Sequence, residues 1–263
     1  MGFIYTFANQ KGGVGKTTSA INLGAYLANY GRRVLLVDLD PQANATSSLK
    51  IDKNKINGGT YEVLLDNVPV DKFILHNPRL RLSILPASPG LVGGEVELVT
   101  ELARESRMQR ALEGIDNRYE YILIDCPPSL GLLTLNGLVA ARDGVIIPVQ
   151  CEYLALEGLS QLIYTLDKVR RAVFPDLTIR GVLLTMFDSR INLALDVVKE
   201  VQRFFPDQVF KTIIPRTVRL AEAPSYGLPV SLYAPSCSGA LSYNALAREI
   251  LEGDGFEIPD IQE

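Results

Sequence analysis

Residues 10–18 read Gln-Lys-Gly-Gly-Val-Gly-Lys-Thr-Thr, and their reading decides the fold. Gly15-Lys16-Thr17 completes the phosphate-loop pattern G-x-x-x-x-G-K-[ST], in which glycine-loop amides cradle phosphates and the lysine reaches the terminal ones. Gln10 stands where that pattern opens with glycine, and a second lysine, Lys11, precedes Gly12 and Gly13. A further cation at such a loop implies more negative charge than one loop lysine neutralises, or a second nucleotide within reach. Lys11, Gly12, Gly13, Val14, Gly15, Lys16, Thr17 and Thr18 form the candidate nucleotide-binding segment.

Such a loop has meaning only between a strand and a helix. Residues 3–9 are mostly β-branched and aromatic and predict a buried strand. Beyond Thr17 the apolar positions Ile21, Leu23, Ala25, Leu27 and Ala28 predict a helix packed on a sheet, with a stop at Gly31. Its N-terminal amides and dipole then face whatever the glycines enclose. Apolar runs at Val34–Val37, Tyr121–Ile124, Val145–Val149 and Val182–Met186 read as further buried strands, with shorter candidates at Leu82–Leu85 and Thr212–Ile214. Helical patterns lie near 92–113, 129–141, 156–173, 191–205 and 239–252, and residues 52–60 read as a loop. This alternation predicts an α/β fold, a mostly parallel twisted sheet with helices on both faces, whose ligands bind at the carboxyl ends of the strands. One domain is expected over residues 1–252, followed by an acidic tail over 253–263 that frays.

The chain has 263 residues, 47% of them hydrophobic, and a net charge of −4. That supports a large core, and no apolar run approaches the ~20 residues of a membrane span. Cys126, Cys151 and Cys237 show no C-x-x-C spacing, so neither a disulfide framework nor a zinc site is expected. With no signal-like N-terminus, the reading is cytoplasmic. His76, alone in a polar stretch, reads as a surface loop residue. Nucleic-acid binding by an acidic chain needs a local basic patch. Residues 180–219 supply one, with seven basic residues against four acidic.

Carboxylates follow two of the predicted strands. Asp38 and Asp40 stand two apart before Pro41, a spacing that sends both to one side of an extended chain. Beside a triphosphate they can hold magnesium through water or orient an attacking water. Asp125 ends the run Tyr121-Ile-Leu-Ile-Asp, the Walker-B arrangement that supports a magnesium ion held by the loop threonine, here Thr17. Cys126 reads as a small residue at the core edge.

Lys11-Gly-Gly-Val-Gly-Lys16-Thr-Thr, Asp38-Leu-Asp40-Pro-Gln and Ile124-Asp125-Cys-Pro-Pro together resemble the ParA/MinD class of deviant Walker-A ATPases. Thr185-Met-Phe-Asp-Ser-Arg190 and Ile214-Pro-Arg216-Thr-Val-Arg219-Leu-Ala-Glu-Ala-Pro-Ser225 are similar to its chromosomal ParA (Soj) branch, and the likeness runs from about residue 3 to 252. It implies a P-loop NTPase-type fold, ATP/ADP and Mg²⁺ as ligands, and ATP hydrolysis. It also implies an ATP-state homodimer in which Lys11 reaches the partner subunit's nucleotide. By the resemblance Lys16 binds β- and γ-phosphates, and Thr17, Asp40 and Asp125 serve the metal. Asp40 is also needed for hydrolysis, and Asp38 supports the same segment. Glu152 and Tyr153 fall near the dimer contact and nucleotide. Pro215, Arg216 and Thr217 fall at the adenine, with Thr217 where Asn is commoner in the family. Arg190, Arg216 and Arg219 match non-specific contacts to double-stranded DNA. The implied partner is a ParB (Spo0J)-type protein and the implied location the nucleoid.

A MinD-like membrane-associated ATPase is the alternative. It calls for a basic amphipathic C-terminal helix, whereas this end is acidic and contains Pro259. A reductase with an iron–sulfur cluster between subunits would need two placed cysteines, which Cys126 and Cys151 do not match.

Overall fold

The computed structural model describes residues 2–152 and 155–258. A seven-stranded sheet runs in the order β3-β4-β2-β5-β1-β6-β7. Its strands are β1 (Phe3–Phe7), β2 (Val34–Asp38), β3 (Leu75–Asn77), β4 (Leu82–Leu85), β5 (Tyr121–Asp125), β6 (Gly144–Gln150) and β7 (Ile179–Thr185). All neighbours pair in parallel except β3, which runs antiparallel on the β4 edge. The helices are α1 (Lys16–Asn29), α2 (Asn44–Ser48), α3 (Thr60–Leu64), α4 (Leu91–Leu98), α5 (Arg107–Glu113), α6 (Leu132–Ala140), α7 (Ala155–Ala172), α8 (Asn192–Phe204), α9 (Val218–Glu222), α10 (Val230–Tyr233) and α11 (Ser238–Gly253).

Side-chain alternation divides the core between the sheet faces. Tyr5, Phe7, Leu36 and Leu123 turn toward α1 and α11, where Leu23, Leu27, Leu246 and Ile250 meet them. Ile4, Leu35, Val37, Ile122 and Ile124 turn the other way, toward Leu64, Leu91, Met108 and Leu133. A third cluster joins β6 and β7 to Leu162, Leu166, Val197 and Val201 of α7 and α8. Both faces are covered, which is why the inner strands read as continuous apolar runs. The register that sets Asp38 level with Asp125 across β2 and β5 brings two strand-end carboxylates together.

Several expectations change. The helix expected over 92–113 is two helices, α4 and α5, with Ala103 at φ 49° between them. Thr212–Ile214 is no strand; isolated parallel bridges join Val182 to Val209 and Phe187 to Pro215 on either side of it. His76 lies in edge strand β3, its Nδ1 3.3 Å from the Ser83 hydroxyl, and not in a loop. The tail is fastened and not frayed as far as Ile258. Phe256 and Ile258 pack on the core, and Asp254 accepts hydrogen bonds from the Tyr5 and Tyr121 hydroxyls and Arg180 at 2.7, 2.9 and 3.0 Å. Residues 259–263, including Pro259, lie outside the described residues.

Candidate functional site

The chain leaves β1 and turns at once into the loop that opens α1. Gly13 and Gly15 have φ of 74° and 91°, the left-handed region that glycine enters without a Cβ penalty. With Gly15 capping α1, the first helical amides face the loop interior. Neighbouring strand tips hold the loop in shape. The Asn9 amide donates to the Pro148 carbonyl of β6 at 2.7 Å and its oxygen accepts the Lys11 amide at 3.0 Å. The Thr185 hydroxyl, ending β7, donates to the Val14 carbonyl at 2.8 Å. Val14 itself is buried, so it serves the loop through its backbone.

Lys16 is 6% exposed and donates to the carbonyls of Asn9 and Lys11 at 3.0 and 3.2 Å. Burial lowers its pKa, while Asp125 and Asp40 favour its charge. A cavity of about 380 Å³ opens beside it, lined by Gly12, Gly13, Gly15, Lys16, Thr17, Thr18, Asp40 and Pro128 among others. A second, more apolar cavity of about 350 Å³ shares Gly15, Thr18 and Met186 with the first. Ile214, Pro215, Arg216, Thr217 and Leu220 line it. Together they offer a polar compartment at a helix N-terminus and an apolar one beside it, the shape and chemistry of a nucleotide.

The carboxylates do not share one role. Asp38 and Asp40 do not project to the same side, because the strand ends at Asp38. Asp38 is fully buried; one oxygen accepts the Thr46 amide and hydroxyl at 2.8 and 2.7 Å, the other the Asp40 amide at 3.1 Å. Burial pushes its carboxyl up to about 6 against the opposing pull of those hydrogen bonds. Asp40 instead lines the phosphate cavity and accepts the Gln42 amide at 2.9 Å. Asp125 is fully buried, and neither of its oxygens has a hydrogen-bond partner. Burial and the nearby Asp38 raise its pKa well above the carboxylate range; the Thr17 hydroxyl, outside hydrogen-bond geometry, and Lys16 offset this in part. An orphaned carboxylate beside other carboxylates is a site short of positive charge, and it fits a divalent cation. Among the described residues no group of three or more His, Cys, Asp or Glu could hold a metal alone. Thr17, Asp40, Asp125 and phosphate oxygens together make the fitting donor set.

Lys11 does not line the phosphate cavity. Its side chain is 37% exposed, and its ammonium lies 3.5 Å from Glu152. Glu152 lines neither cavity and also accepts from Gln150 at 2.6 Å. Tyr153 lies outside the described residues. Arg190 and Arg219 are exposed, each held by a carboxylate. Arg190 grips Asp188 with a fork at 2.9 and 2.7 Å, and Arg219 reaches Glu222 at 2.8 Å. The Arg190 fork holds the Asp188 carboxyl down at about 2. Arg216 is exposed with no ion pair among the described residues. Cys126 and Cys151 are both buried, and burial raises both thiol pKa values.

Sequence reading missed Asn9 and Thr185, which fix the loop from the ends of β1 and β7, and Thr46 of α2, which fixes Asp38. The one local signal, for Asn9 and Thr185, was a polar residue ending or following an apolar run.

A family profile described as an AAA domain matches residues 2–179. The chain is 54% identical over 250 residues to the sporulation initiation inhibitor protein Soj of Bacillus subtilis, covering 95% of this chain and 98% of that one. It is 55% identical over 260 residues to the chromosome partitioning protein ParA of Myxococcus xanthus, covering 98% and 91%. Among solved structures, a cobyrinic acid a,c-diamide synthase of Mycobacterium smegmatis with bound ATP analogue and magnesium superposes with a TM-score of 0.84 at 37% identity, covering 98% of both chains.

Proposed function

The chain belongs to the Soj/ParA family of chromosome-partitioning ATPases, and from that premise we propose that it is a nucleotide-switched dimer that attaches to DNA without reading sequence. Its ligands are ATP or ADP with magnesium. The observation that carries the reading is the pair of joined cavities with a lysine left over: Lys16 serves the loop interior while Lys11 lines neither cavity and pairs with Glu152.

In this reading Lys16 and the α1 amides bind β- and γ-phosphates, and the cavity of Pro215, Arg216 and Thr217 takes the base. The metal, held by Thr17 and Asp40 with Asp125 behind, neutralises phosphate charge. Asp40 orients the attacking water, and Asp38 holds the Asp40 segment through Thr46. In the ATP state two chains face each other, and each Lys11 leaves Glu152 for the partner's phosphates. Dimerisation adds two basic faces built on Arg190, Arg216 and Arg219. Non-specific affinity scales steeply with the number of phosphates neutralised, so ATP gates DNA attachment. A ParB (Spo0J)-type partner would stimulate hydrolysis and release, in the cytoplasm at the nucleoid. No described helix is long and apolar enough to cross a membrane. On α11, Leu246, Ile250 and Leu251 are buried against the core and are not offered to a membrane.

The test measures DNA retention against salt with ATP, ADP and no nucleotide, beside sedimentation. Retention and dimerisation are expected with ATP alone. Lys11→Ala should stay a folded monomer that does not retain DNA, whereas Asp40→Ala should retain DNA and lose turnover. Normal ATP-dependent retention by Lys11→Ala, or unchanged turnover by Asp40→Ala, overturns the assignments.

A further inference from the structure

Lys50 stands in an unusual place for a lysine. It follows α2 with φ 57°, the left-handed region that is strained for any residue bearing a Cβ and relaxed for glycine. The chain nevertheless holds a long cationic side chain there. Its stem lies over Gly227 and fills the space that a side chain at Gly227 would need. The stem is thus seated on protein while the residue stays exposed, which leaves the ammonium to solvent. Among the described residues that ammonium has neither an ion pair nor a hydrogen bond. Asp52, two residues on, is taken by Lys55 at 3.2 Å.

Gly227 closes the turn Ala223–Tyr226, against which α2 packs. From there contacts lead to one arginine of the basic face. Tyr226 stacks on Tyr233 with ring centroids 4.8 Å apart, the Tyr233 hydroxyl donates to Glu222 at 3.0 Å, and Glu222 holds Arg219 at 2.8 Å. Lys50 and Arg219 thus flank one stacked tyrosine pair, in different states. Arg190 and Arg219 must each release a carboxylate before gripping a phosphate, whereas Lys50 has none to release. A compact ammonium on a settled stem takes a phosphate as a point charge and makes no demand on base sequence. The helix that carries Lys50 also borders the nucleotide site: Asn44 and Ser48 line the phosphate cavity, and Thr46 ties α2 to Asp38.

We propose that Lys50 is a further phosphate-binding residue of the DNA face, extending the surface of Arg190, Arg216 and Arg219 across the Tyr226–Tyr233 pair. This rests on the DNA-binding reading above. It adds to that face a cation that no carboxylate has to leave, delivered by the short helix beside the phosphate cavity.

The test follows the anisotropy of a fluorescein-labelled DNA duplex of arbitrary sequence against salt, with the full chain, ATP and magnesium. Lys50→Gln should weaken binding several-fold and make the log–log slope shallower by about 0.9 for each lysine lost, two in the dimer. Lys72→Gln removes the same charge from the turn Val70–Lys72, whose Val70 packs into the core on the other face of the sheet from Leu49, and should leave the slope nearly unaltered. Lys50→Gly also removes the cation but relieves the left-handed conformation, so it should lose the same slope while its melting temperature holds or rises. A residue that merely supported the fold would show the reverse. Sedimentation should find the ATP-dependent dimer intact in all three variants. An unchanged slope in Lys50→Gln, an equal change in Lys72→Gln, or loss of the dimer in Lys50→Gln overturns the proposal. A wild-type chain that retains no DNA with ATP overturns the underlying reading and this proposal with it; wild-type retention with Lys50→Gln unaltered overturns this proposal alone.

Discussion

Asp125 is a charge that the fold isolates, and its chemistry shows what the site waits for. The unfolded chain releases this proton near pH 4, whereas burial and Asp38 make the folded chain hold it to much higher pH. The ligand-free protein therefore loses stability from this group as pH rises from about 4 toward the folded-state pKa. Asp125→Asn should remove that slope, leaving stability unchanged near pH 4 and raising it by about 1–3 kcal/mol at pH 8, the scale of an uncompensated buried polar group. The same variant should lose most of the thermal stabilisation given by magnesium and ATP. Denaturant midpoints across pH, with and without the ligand, check both; a variant that keeps the slope sinks the argument. Asp125 was legible in sequence because an aspartate ending an apolar strand has a recognisable pattern. The residue that holds the neighbouring Asp38, Thr46, was not, because that contact exists only once α2 has folded against the strand end.

Among the elements, α11 shows how the fold is closed away from the nucleotide. Asp254 follows it directly, its side chain 3% exposed, and collects Tyr5 of β1, Tyr121 of β5 and Arg180 of β7. Burial, reinforced by this carboxylate, holds both tyrosines above their usual range. Asp254→Ala removes the acceptor of two tyrosine hydroxyls and of the half-buried Arg180, which keeps its contacts to the Tyr5 hydroxyl and the Ile250 carbonyl, and should cost about 1.5–3 kcal/mol. Nucleotide affinity of the folded protein should hold, since Tyr121 and Arg180 stand at the amino-terminal ends of their strands, away from the phosphate loop. Urea titration beside nucleotide binding checks this; a loss under about 1 kcal/mol would show the cluster to be loosely made. The inner strands were readable because both faces are covered and nearly every position is apolar. Strand β3 (Leu-His-Asn) was not, since a short edge strand has neither a run nor an alternation to announce it. The break between α4 and α5 was hidden because helix-like spacing persists across it, while the chain turns at Ala103. The tail's composition signalled fraying, but as far as Ile258 one aspartate with three donors outweighs it.

For the whole molecule the governing fact is a net charge of −4. Attachment to a polyanion then depends on a few arginines, and two of them are occupied by their own carboxylates. If DNA attaches as proposed, its phosphate has to displace Asp188 from Arg190. Asp188→Asn should thus tighten DNA binding in the ATP state and steepen its salt dependence by about 0.9 in the log–log slope for each Arg190 freed, two in the dimer. Asp196→Asn changes net charge equally without freeing that fork and should leave the slope nearly unaltered; equal effects from both would reduce Asp188 to bulk charge. The arginines were readable through resemblance, and their pairing was not, since nothing local distinguishes a free guanidinium from a held one. One last consequence comes from the end of β7. Thr185 fastens the phosphate loop, Met186 lines both cavities, Phe187 bridges Pro215, and the chain then runs through Asp188 to Arg190. News of what fills the loop needs no relay across the domain: one short stretch of backbone is at once the clasp and the lever arm.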